Sequence, residues 1–174
     1  MIGVYNAGKD RIYEYTPAED AKYKLGGKAD LYGRMLVEEL KPLIDSHYWT
    51  KKDAEHTGLG GSSLGGLLSI YLALKYPEVF GRAAVVSPSV WFANKQIVHY
   101  VEALRKRPRV RIWMDIGTKE GQNTEEAQQT VGDARLLQET LVKKVGSLEK
   151  LSRMSRMQEL NIMRERGLPV LSQS

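Results

Sequence analysis

A glycine-rich segment at residues 58–66 constrains the fold of this chain more than any other stretch. Within it, Gly61 and Gly65 flank Ser63 at positions minus two and plus two, which gives the pattern G-x-S-x-G. The pattern is typical of a sharp, strained turn that joins a strand to a helix and leaves one hydroxyl exposed. Residues packed beside such a turn must be very small, and glycine meets that requirement. We therefore predict that Ser63 stands at the end of a strand and directly before a helix.

The residues around this pattern support both halves of the prediction. Residues 55–61 form a short candidate strand, and apolar side chains recur at helical spacing over residues 64–76 until Pro77 ends the helix. In such a turn the exposed hydroxyl is a candidate nucleophile. The backbone N–H of Leu64 would lie at the positive end of the helix, where a developing oxyanion is stabilised. Ser63 and Leu64 are therefore the first candidate site residues.

The rest of the chain alternates between candidate strands and helices. Further strands are predicted at residues 2–5, 83–86 and 110–116, and further helices at residues 31–48, 94–104 and 124–145. Asp30 is the predicted N-cap of the first of these helices, and Pro42 is expected to kink it. The alternation predicts an α/β fold, with a mostly parallel sheet covered by helices on both faces. In such sheets, functional residues gather at the carboxyl ends of the strands.

The composition is that of an ordinary globular domain and excludes several kinds of site. The 174 residues include 42% hydrophobic and 27% charged residues, and the chain has no cysteine. Disulfides and thiolate metal sites are therefore excluded, and we expect no metal or other cofactor. We also expect no membrane association, since no apolar run is long enough to span a bilayer. A cytoplasmic location is the expectation, although an export signal would be lost if the start of the gene were missing.

The chain has a net charge of +5, and two stretches are basic, at residues 105–109 and in the tail after Lys143. A basic run can bind nucleic acid, but no nucleic-acid recognition motif accompanies either stretch. We therefore interpret both stretches as solvated surface and expect no nucleic-acid partner.

A nucleophilic serine in this kind of turn is followed along the chain by an acidic residue and then by a histidine. Glu120 and Asp115 are the two candidates for the acid, since both fall near the end of the predicted strand at residues 110–116. Glu120 is favoured because the loop after the strand would let its side chain reach a histidine, whereas Asp115 lies within the strand. A structural role for Glu120 in that loop is the alternative.

No histidine follows His99, so the expected general base is not apparent. His56 begins the strand that ends at Ser63, and it is predicted to lie roughly 20 Å away because a strand rises about 3.3 Å per residue. His47 falls on the same far side, and His99 is expected on a helix surface. Without a base, a serine hydroxyl is a poor nucleophile at neutral pH.

Seven segments of the chain together resemble the family known as Putative esterase. They are residues 4–6, 11–17, 38–45, 60–66, 75–81, 87–91 and 115–120. The family includes enterochelin esterase-like proteins, esterase D (S-formylglutathione hydrolase) and feruloyl esterase domains. The resemblance covers residues 2–145, and the segments taken together are far more specific than the G-x-S-x-G pattern alone.

The resemblance implies a partial α/β-hydrolase fold and hydrolysis of small-molecule carboxylic esters through an acyl-enzyme intermediate. Ser63 matches the nucleophile of the family, and the Leu64 amide matches part of its oxyanion hole. Glu120 stands where relatives carry the acid of the catalytic triad, within a Gly-Thr-x-acid pattern. Trp91 follows a Ser-Pro-Ser loop that borders the active site in relatives, and it is a candidate substrate-binding residue.

Two departures from the family pattern predict that the esterase domain at residues 1–145 is incomplete. Relatives carry the strand with the second oxyanion donor before the segment that here starts at Met1, and that strand pairs beside the nucleophile strand. They also carry the catalytic histidine in a Gly-His loop beyond the last long helix, where this chain has an atypical tail at residues 146–174. We interpret that tail as a weak helix, a disordered segment or the product of a shifted reading frame.

These departures leave two hypotheses for the function. In the first, the chain is a serine esterase that acts on a small-molecule ester. In the second, it is a catalytically inactive, truncated remnant of such an esterase with at most a binding or assembly role. Under either hypothesis, the missing central strand would expose a sheet edge, which predicts poor solubility or self-association.

Overall fold

The computed structural model describes residues 1–6 and 8–145 and has a three-stranded parallel sheet at its centre. The helices are α1 (Arg11–Glu14), α2 (Ala29–Arg34), α3 (Lys41–His47), α4 (Leu64–Lys75), α5 (Phe92–Glu102) and α6 (Thr124–Val145). The strands are β1 (Glu19–Asp20), β2 (Leu25–Gly26), β3 (Gly58–Ser62), β4 (Arg82–Val86) and β5 (Arg111–Asp115). The prediction for the tail at residues 146–174 falls outside the described residues.

The central sheet consists of β3, β4 and β5, which lie side by side in chain order and pair in parallel. Their register aligns Leu59 with Ala83 and Ala83 with Ile112, so these three side chains share one face. Gly61, two residues after Leu59, lies on the same face and abuts Gly65 of α4, which shows that α4 packs there. The predicted α/β fold with a parallel sheet is therefore confirmed.

The opposite face of this sheet is more open in the described part of the chain. Ala84, Arg82 and Arg111 are exposed there, and Trp113 is half-buried. Among the described residues, β3 pairs with β4 alone, so its outer edge has free backbone groups. In the described part of the chain, the sheet therefore has an open edge at β3, the strand that leads to Ser63. Self-association through that edge stays a prediction.

Helix α4 forms the centre of the core. All eleven residues 64–74 are buried, and Ile70 and Leu72 have no exposed surface. A helix that is apolar on every side must be buried on every side, since it has no polar face to turn toward water. The predicted helix over residues 64–76 is confirmed by α4, so the element that carries Ser63 at its start is anchored along its whole length.

Residues 29–47 form one continuous helical run that includes α2, a π-helical segment at Met35–Leu40 and α3. Pro42 lies in the first turn of α3, directly after the wide π turns, and the helical run continues through it. The kink expected at Pro42 stays a prediction. Because proline lacks the N–H that would bond to a carbonyl of the preceding turn, one hydrogen bond of the helical run is missing at Pro42. Helical spacing predicts that Leu43 lies on the apolar side of this helix, but its side chain is 54% exposed.

The prediction that Asp30 caps this helix is wrong. The helix begins at Ala29 without a side-chain cap, and Asp30 lies in its first turn. Its Oδ1 accepts hydrogen bonds from the Tyr71 hydroxyl at 2.6 Å and pairs with Lys75 Nζ at 2.5 Å. The carboxylate therefore ties α2 to α4 instead of capping its own helix.

We expect Asp30→Asn to destabilise the protein at neutral pH but not in acid. Burial opposes ionisation of Asp30, but the hydrogen bonds from Lys75 and Tyr71 outweigh it and lower the pKa of this carboxyl below its ordinary value. A carboxyl with a lowered folded-state pKa stabilises the fold above its unfolded pKa of about 3.9 and loses that contribution as the pH falls through the folded value. The measurement is the free energy of unfolding of both proteins between neutral pH and about pH 2.

Asp10→Asn is the matched control, because Asp10 precedes α1 and makes no capping hydrogen bond. A stability difference between Asp30→Asn and the parent protein that persisted unchanged in acid would contradict the assignment.

The amino-terminal part of the chain differs from the sequence-based expectation. No strand forms at residues 2–5. Four residues with alternating apolar side chains do not define a strand unless a neighbouring strand supplies hydrogen-bond partners.

Within the described residues, no helix is both long and apolar enough to cross a membrane.

Candidate active site

Ser63 occupies a strained turn between β3 and α4. Its φ is 59° and its ψ is −122°, a conformation that costs a residue with a side chain about 1–3 kcal/mol. Two backbone hydrogen bonds hold the turn: Ser63 N–H donates to Val86 O at 3.0 Å, and Ser89 N–H donates to Ser63 O at 3.2 Å. Ser63 is exposed despite this fixation. The strain thus presents its hydroxyl at the carboxyl end of the sheet.

Glycine is required at two positions around the turn. A Cβ at Gly61 would lie 2.6 Å from the carbonyl carbon of Gly65, and a Cβ at Gly66 would lie 2.8 Å from the carbonyl oxygen of Val86. Both distances are below any van der Waals contact, and both involve backbone atoms that cannot move aside. Gly61 of the pattern and the following Gly66 therefore let α4 start directly against β3. The expectation that Gly65 must also be very small is wrong, because a Cβ there would meet only Tyr15, at 3.9 Å.

The Leu64 N–H belongs to the first residue of α4. The first N–H groups of a helix have no acceptor inside the helix, and the helix dipole makes that end positive. Leu64 follows Ser63 directly, and the role of its N–H as an oxyanion donor stays a prediction. The geometry suits the role that the resemblance implies for Leu64.

A cleft of about 600 Å³ opens in front of Ser63. Its walls come from the ends of β3 and β4, the loop after β5 and one side of α6: Ser62, Ser63, Ser87, Pro88, Ser89, Trp91, Glu120, Gly121, Glu126, Gln129, Thr130 and Asp133. Ser63, Trp91 and Glu120, which the sequence singled out from three separate stretches, all line this cleft. Trp91 is 53% exposed and forms part of its rim.

Glu120 is half-buried and points back toward the sheet. Its Oε1 accepts hydrogen bonds from the Ser87 hydroxyl and from Gly117 N–H, the latter at 3.0 Å. Asp115, the alternative acid, accepts a 3.3 Å hydrogen bond from Ser87 N–H and does not line the cleft. Glu120 is thus the better placed of the two carboxylates, and its role as the triad acid stays a prediction.

The three histidines lie outside the cleft. His47 contacts Ser46 and a backbone carbonyl at the end of α3. His56 Nδ1 lies 2.7 Å from Asp53. The prediction that His56 begins the strand is wrong, since residues 54–56 form a 3-10 turn before β3, but His56 does lie on the side of the amino end of β3, opposite Ser63. His99 is exposed on α5, beside Glu102. The described part of the chain therefore brings no imidazole to Ser63, and the nearest polar side-chain partner of its hydroxyl is Ser89 Oγ at 3.1 Å.

Several cleft residues escape sequence reasoning. Ser89 follows β4 and belongs to the Ser-Pro-Ser loop, a signal that could predict its place in the site. Asp133 carries no such signal, because it lies on α6, far along the chain from Ser63. The same holds for Lys95, which pairs with Asp133 from α5 and does not itself line the cleft. Lys95 belongs to a left-handed stretch with Ala93 and Asn94, whose φ values are between 46° and 60°. No glycine marks that stretch in the sequence.

A parallel sheet with a strained serine at the carboxyl end of its first strand defines the class of protein: the fold is that of the α/β-hydrolase-like esterases. A model of the family described as Putative esterase matches residues 1–153, and the chain belongs to that family. The resemblance inferred from the sequence segments is therefore confirmed.

Individual relatives support the same assignment. The chain is 31% identical over 133 residues to the uncharacterized protein YbbA of Bacillus subtilis, which covers 74% of this chain and 52% of the relative. The BES protein of Bacillus cereus superposes with a TM-score of 0.63 at 22% identity, over 84% of this chain and 56% of the other. The siderophore hydrolase EstA of Aspergillus nidulans gives a TM-score of 0.59 at 18% identity, over 86% and 59%. The chain thus spans about half the length of curated relatives that it matches.

Proposed function

We propose that this chain carries the nucleophile-bearing half of a carboxylic ester hydrolase, with Ser63 as the nucleophile. The conformation of Ser63 carries the proposal. Ser63 is a non-glycine residue that backbone hydrogen bonds hold at φ 59°, and it is exposed in a cleft at the carboxyl end of a parallel sheet. Strain of this kind concentrates at functional sites, and membership of the esterase family supports ester hydrolysis as the chemistry.

The reaction begins when Ser63 Oγ attacks the carbonyl carbon of the ester. The carbonyl oxygen becomes an oxyanion, which the Leu64 N–H at the start of α4 stabilises. A general base takes the proton of Ser63 Oγ during the attack and returns it to the departing alcohol. The acyl group stays on Ser63 until water, which gives a proton to the same base, attacks it and releases the acid. Trp91 at the rim of the cleft supplies apolar surface for the substrate.

Glu120 acts as a positioning carboxylate in this proposal. Its hydrogen bonds to Ser87 and to Gly117 N–H fix it between the loops that follow β4 and β5. A carboxylate held there orients the imidazole that takes the proton of the serine in triads of this type. Ser87 itself has a φ of 43°, so the loop that holds Glu120 is strained as well.

A second candidate, an inactive remnant, is favoured by the positions of the histidines. His56 pairs with Asp53, and His99 lies beside Glu102 on an exposed helix surface. Because the proton of Ser63 needs a base, a chain in which none of these imidazoles approaches the cleft would react with esters slowly. Such a chain would keep the cleft and bind an ester without turning it over.

The test is covalent labelling of the purified chain with a fluorophosphonate probe, alongside turnover of a short-chain aryl ester. We expect labelling at Ser63, with loss of labelling and at least about a thousandfold lower turnover in Ser63→Ala. Ser62→Ala is the matched control, since Ser62 is the adjacent exposed serine at the mouth of the same cleft. Folded protein that shows no labelling at Ser63 would reject the hydrolase and support the remnant.

A further inference from the structure

A second cavity, of about 710 Å³, opens at the amino ends of β4 and β5, the opposite end of these strands from the Ser63 cleft. Four arginines line it: Arg82, Arg107, Arg109 and Arg111. Glu55 is the only carboxylate among the described residues that line it. Four guanidinium groups and one carboxylate leave three positive charges in excess. We call this site the arginine cavity.

The sequence around β5 explains why so many arginines meet at one place. Arg107, Arg109 and Arg111 occupy alternate positions of one segment, and all three are exposed. Val110, between the last two, is 5% exposed, so its apolar side chain packs inward while the arginines stay at the surface. Arg82 on β4 is the register partner of Arg111 and adds the fourth guanidinium. Like charges on directly opposed residues of neighbouring strands are unfavourable, so this arrangement calls for an anion.

Glu55 neutralises the arginine cavity only in part. Its Oε1 lies 3.3 Å from Arg111 Nη2, and its backbone carbonyl accepts a 2.6 Å hydrogen bond from Arg82 Nε. The two side chains of the Glu55–Arg111 pair are 61% and 60% exposed. Exposed ion pairs of this kind are weak, because water and salt screen them.

The other two arginines have no carboxylate partner within the described part of the chain. Arg107 Nε donates a 2.6 Å hydrogen bond to the backbone carbonyl of Val145, which is a neutral acceptor. Arg109 makes no hydrogen bond and no ion pair with the described residues. A guanidinium carries five N–H donors, so most of the donors of Arg107 and all of those of Arg109 remain available to a ligand.

The chemistry of these groups selects the ligand. Planar guanidinium groups bind the oxygens of phosphate in pairs, through two parallel N–H···O bonds. A single phosphate would engage one or two of the arginines and would leave the repulsion among the others. A chain of linked phosphates brings three or more negative charges and several sets of oxygens, which matches both the excess charge and the number of separate guanidinium groups.

We propose that the arginine cavity binds a polyphosphate group, either as an inorganic polyphosphate or as the phosphate chain of a nucleotide. The inference goes beyond the proposed hydrolase, because the arginine cavity and the Ser63 cleft lie at opposite ends of the strands and share no lining residue. The bound phosphate chain bridges the segment before β5 to β4 and stabilises the folded chain.

The test is calorimetric titration of the whole chain at fixed ionic strength and without divalent cations, which would neutralise the phosphates. The ligands are inorganic triphosphate, ATP, adenosine and inorganic monophosphate. We expect triphosphate and ATP to bind at least about tenfold more tightly than monophosphate, and adenosine not to bind. Equal binding of triphosphate and ATP identifies the inorganic chain as sufficient, whereas tighter binding of ATP identifies a nucleotide; both results support the proposal.

Arg109→Gln and Arg107→Gln should each weaken triphosphate binding by at least about tenfold, because each removes charge-assisted hydrogen bonds to the ligand. Arg105→Gln is the matched control. Arg105 is an exposed arginine of the same segment, so its substitution changes the net charge equally, but it does not line the cavity. It should change the affinity by less than about threefold.

Thermal unfolding gives a second measurement that also shows whether each variant folds. Triphosphate should raise the melting temperature of the parent chain, because it binds the folded state. Arg109 has no partner to lose in the described part of the chain, so Arg109→Gln should melt at the temperature of the ligand-free parent. Its melting temperature should not rise when triphosphate is added.

Three results would overturn the proposal. The first is triphosphate binding no tighter than that of monophosphate, and the second is an equal loss of affinity in Arg105→Gln and Arg109→Gln, which would indicate only a diffuse basic surface. The third is tight binding of a single-stranded RNA that triphosphate does not displace, which would identify a nucleic-acid surface instead. None of them depends on labelling of Ser63, so the arginine cavity and the hydrolase are tested separately.

Discussion

Gly61→Ala should destabilise the protein by about 3 kcal/mol and abolish labelling of Ser63. The added Cβ would lie 2.6, 2.7 and 2.9 Å from three backbone atoms of Gly65. Backbone at the start of a fully buried helix cannot move without shifting the whole of α4, so the overlap must be relieved by separating α4 from β3. The free energy of unfolding by chemical denaturation, together with fluorophosphonate labelling, measures both consequences.

Two other glycines provide controls for Gly61→Ala. A Cβ at Gly60, the adjacent residue of β3, would meet Ala84 Cβ at 3.4 Å, which is an ordinary contact, so Gly60→Ala should cost under about 1 kcal/mol. Gly132 has nothing within 4 Å of such a Cβ and lies inside α6, so Gly132→Ala should stabilise the protein by up to about 1 kcal/mol. Equal stability of Gly61→Ala and Gly60→Ala would refute the tight packing of the turn.

Leu137→Ala should cost about 2–5 kcal/mol, because it removes a side chain with no exposed surface from the packing of α6 against the core. The loss combines the transfer free energy of the deleted carbons with a cavity that the surrounding helices cannot fully close. Leu137 lies one helical turn after Asp133, so the substitution also loosens the wall of the cleft. Thermal or denaturant unfolding measures the loss directly.

The adjacent Leu136 is the matched control for this substitution. Leu136 is also a leucine on α6, but its side chain is 41% exposed. Leu136→Ala should therefore lower the free energy of unfolding by less than about 1 kcal/mol. A similar loss in both variants would mean that α6 does not pack on the core through the face that contains Leu137.

The parts of the fold that the sequence predicts well are those in which local chemistry determines local structure. The G-x-S-x-G pattern requires a turn that glycine alone permits, and that turn forms at Ser63. The strand predicted at residues 83–86 becomes Arg82–Val86, and that at residues 110–116 becomes Arg111–Asp115. Compact apolar runs bounded by turn residues leave few alternatives for a buried strand.

The parts that the sequence does not predict depend on tertiary contacts. Arg11–Glu14 forms a single helical turn, and four residues carry too little periodicity to distinguish a turn from a strand. The sequence position of Asp30 predicts a helix cap. Its actual role depends on Tyr71 and Lys75, which lie more than forty residues later in the chain and contact Asp30 in the folded protein. The left-handed stretch at residues 93–95 contains no glycine, so only the completed structure shows why Lys95 reaches Asp133.

The order of the strands in the central sheet affects how the site assembles during folding. Because β3, β4 and β5 pair in the order in which they occur along the chain, each new strand can dock onto the preceding one after closure of a modest loop. Ser63, Ser89 and Glu120 belong to the segments after the first, second and third of these strands. The cleft is therefore complete only when the third strand and then α6, which forms one of its walls, have docked. Chemical reactivity at Ser63 would serve as a kinetic marker for this late stage of folding.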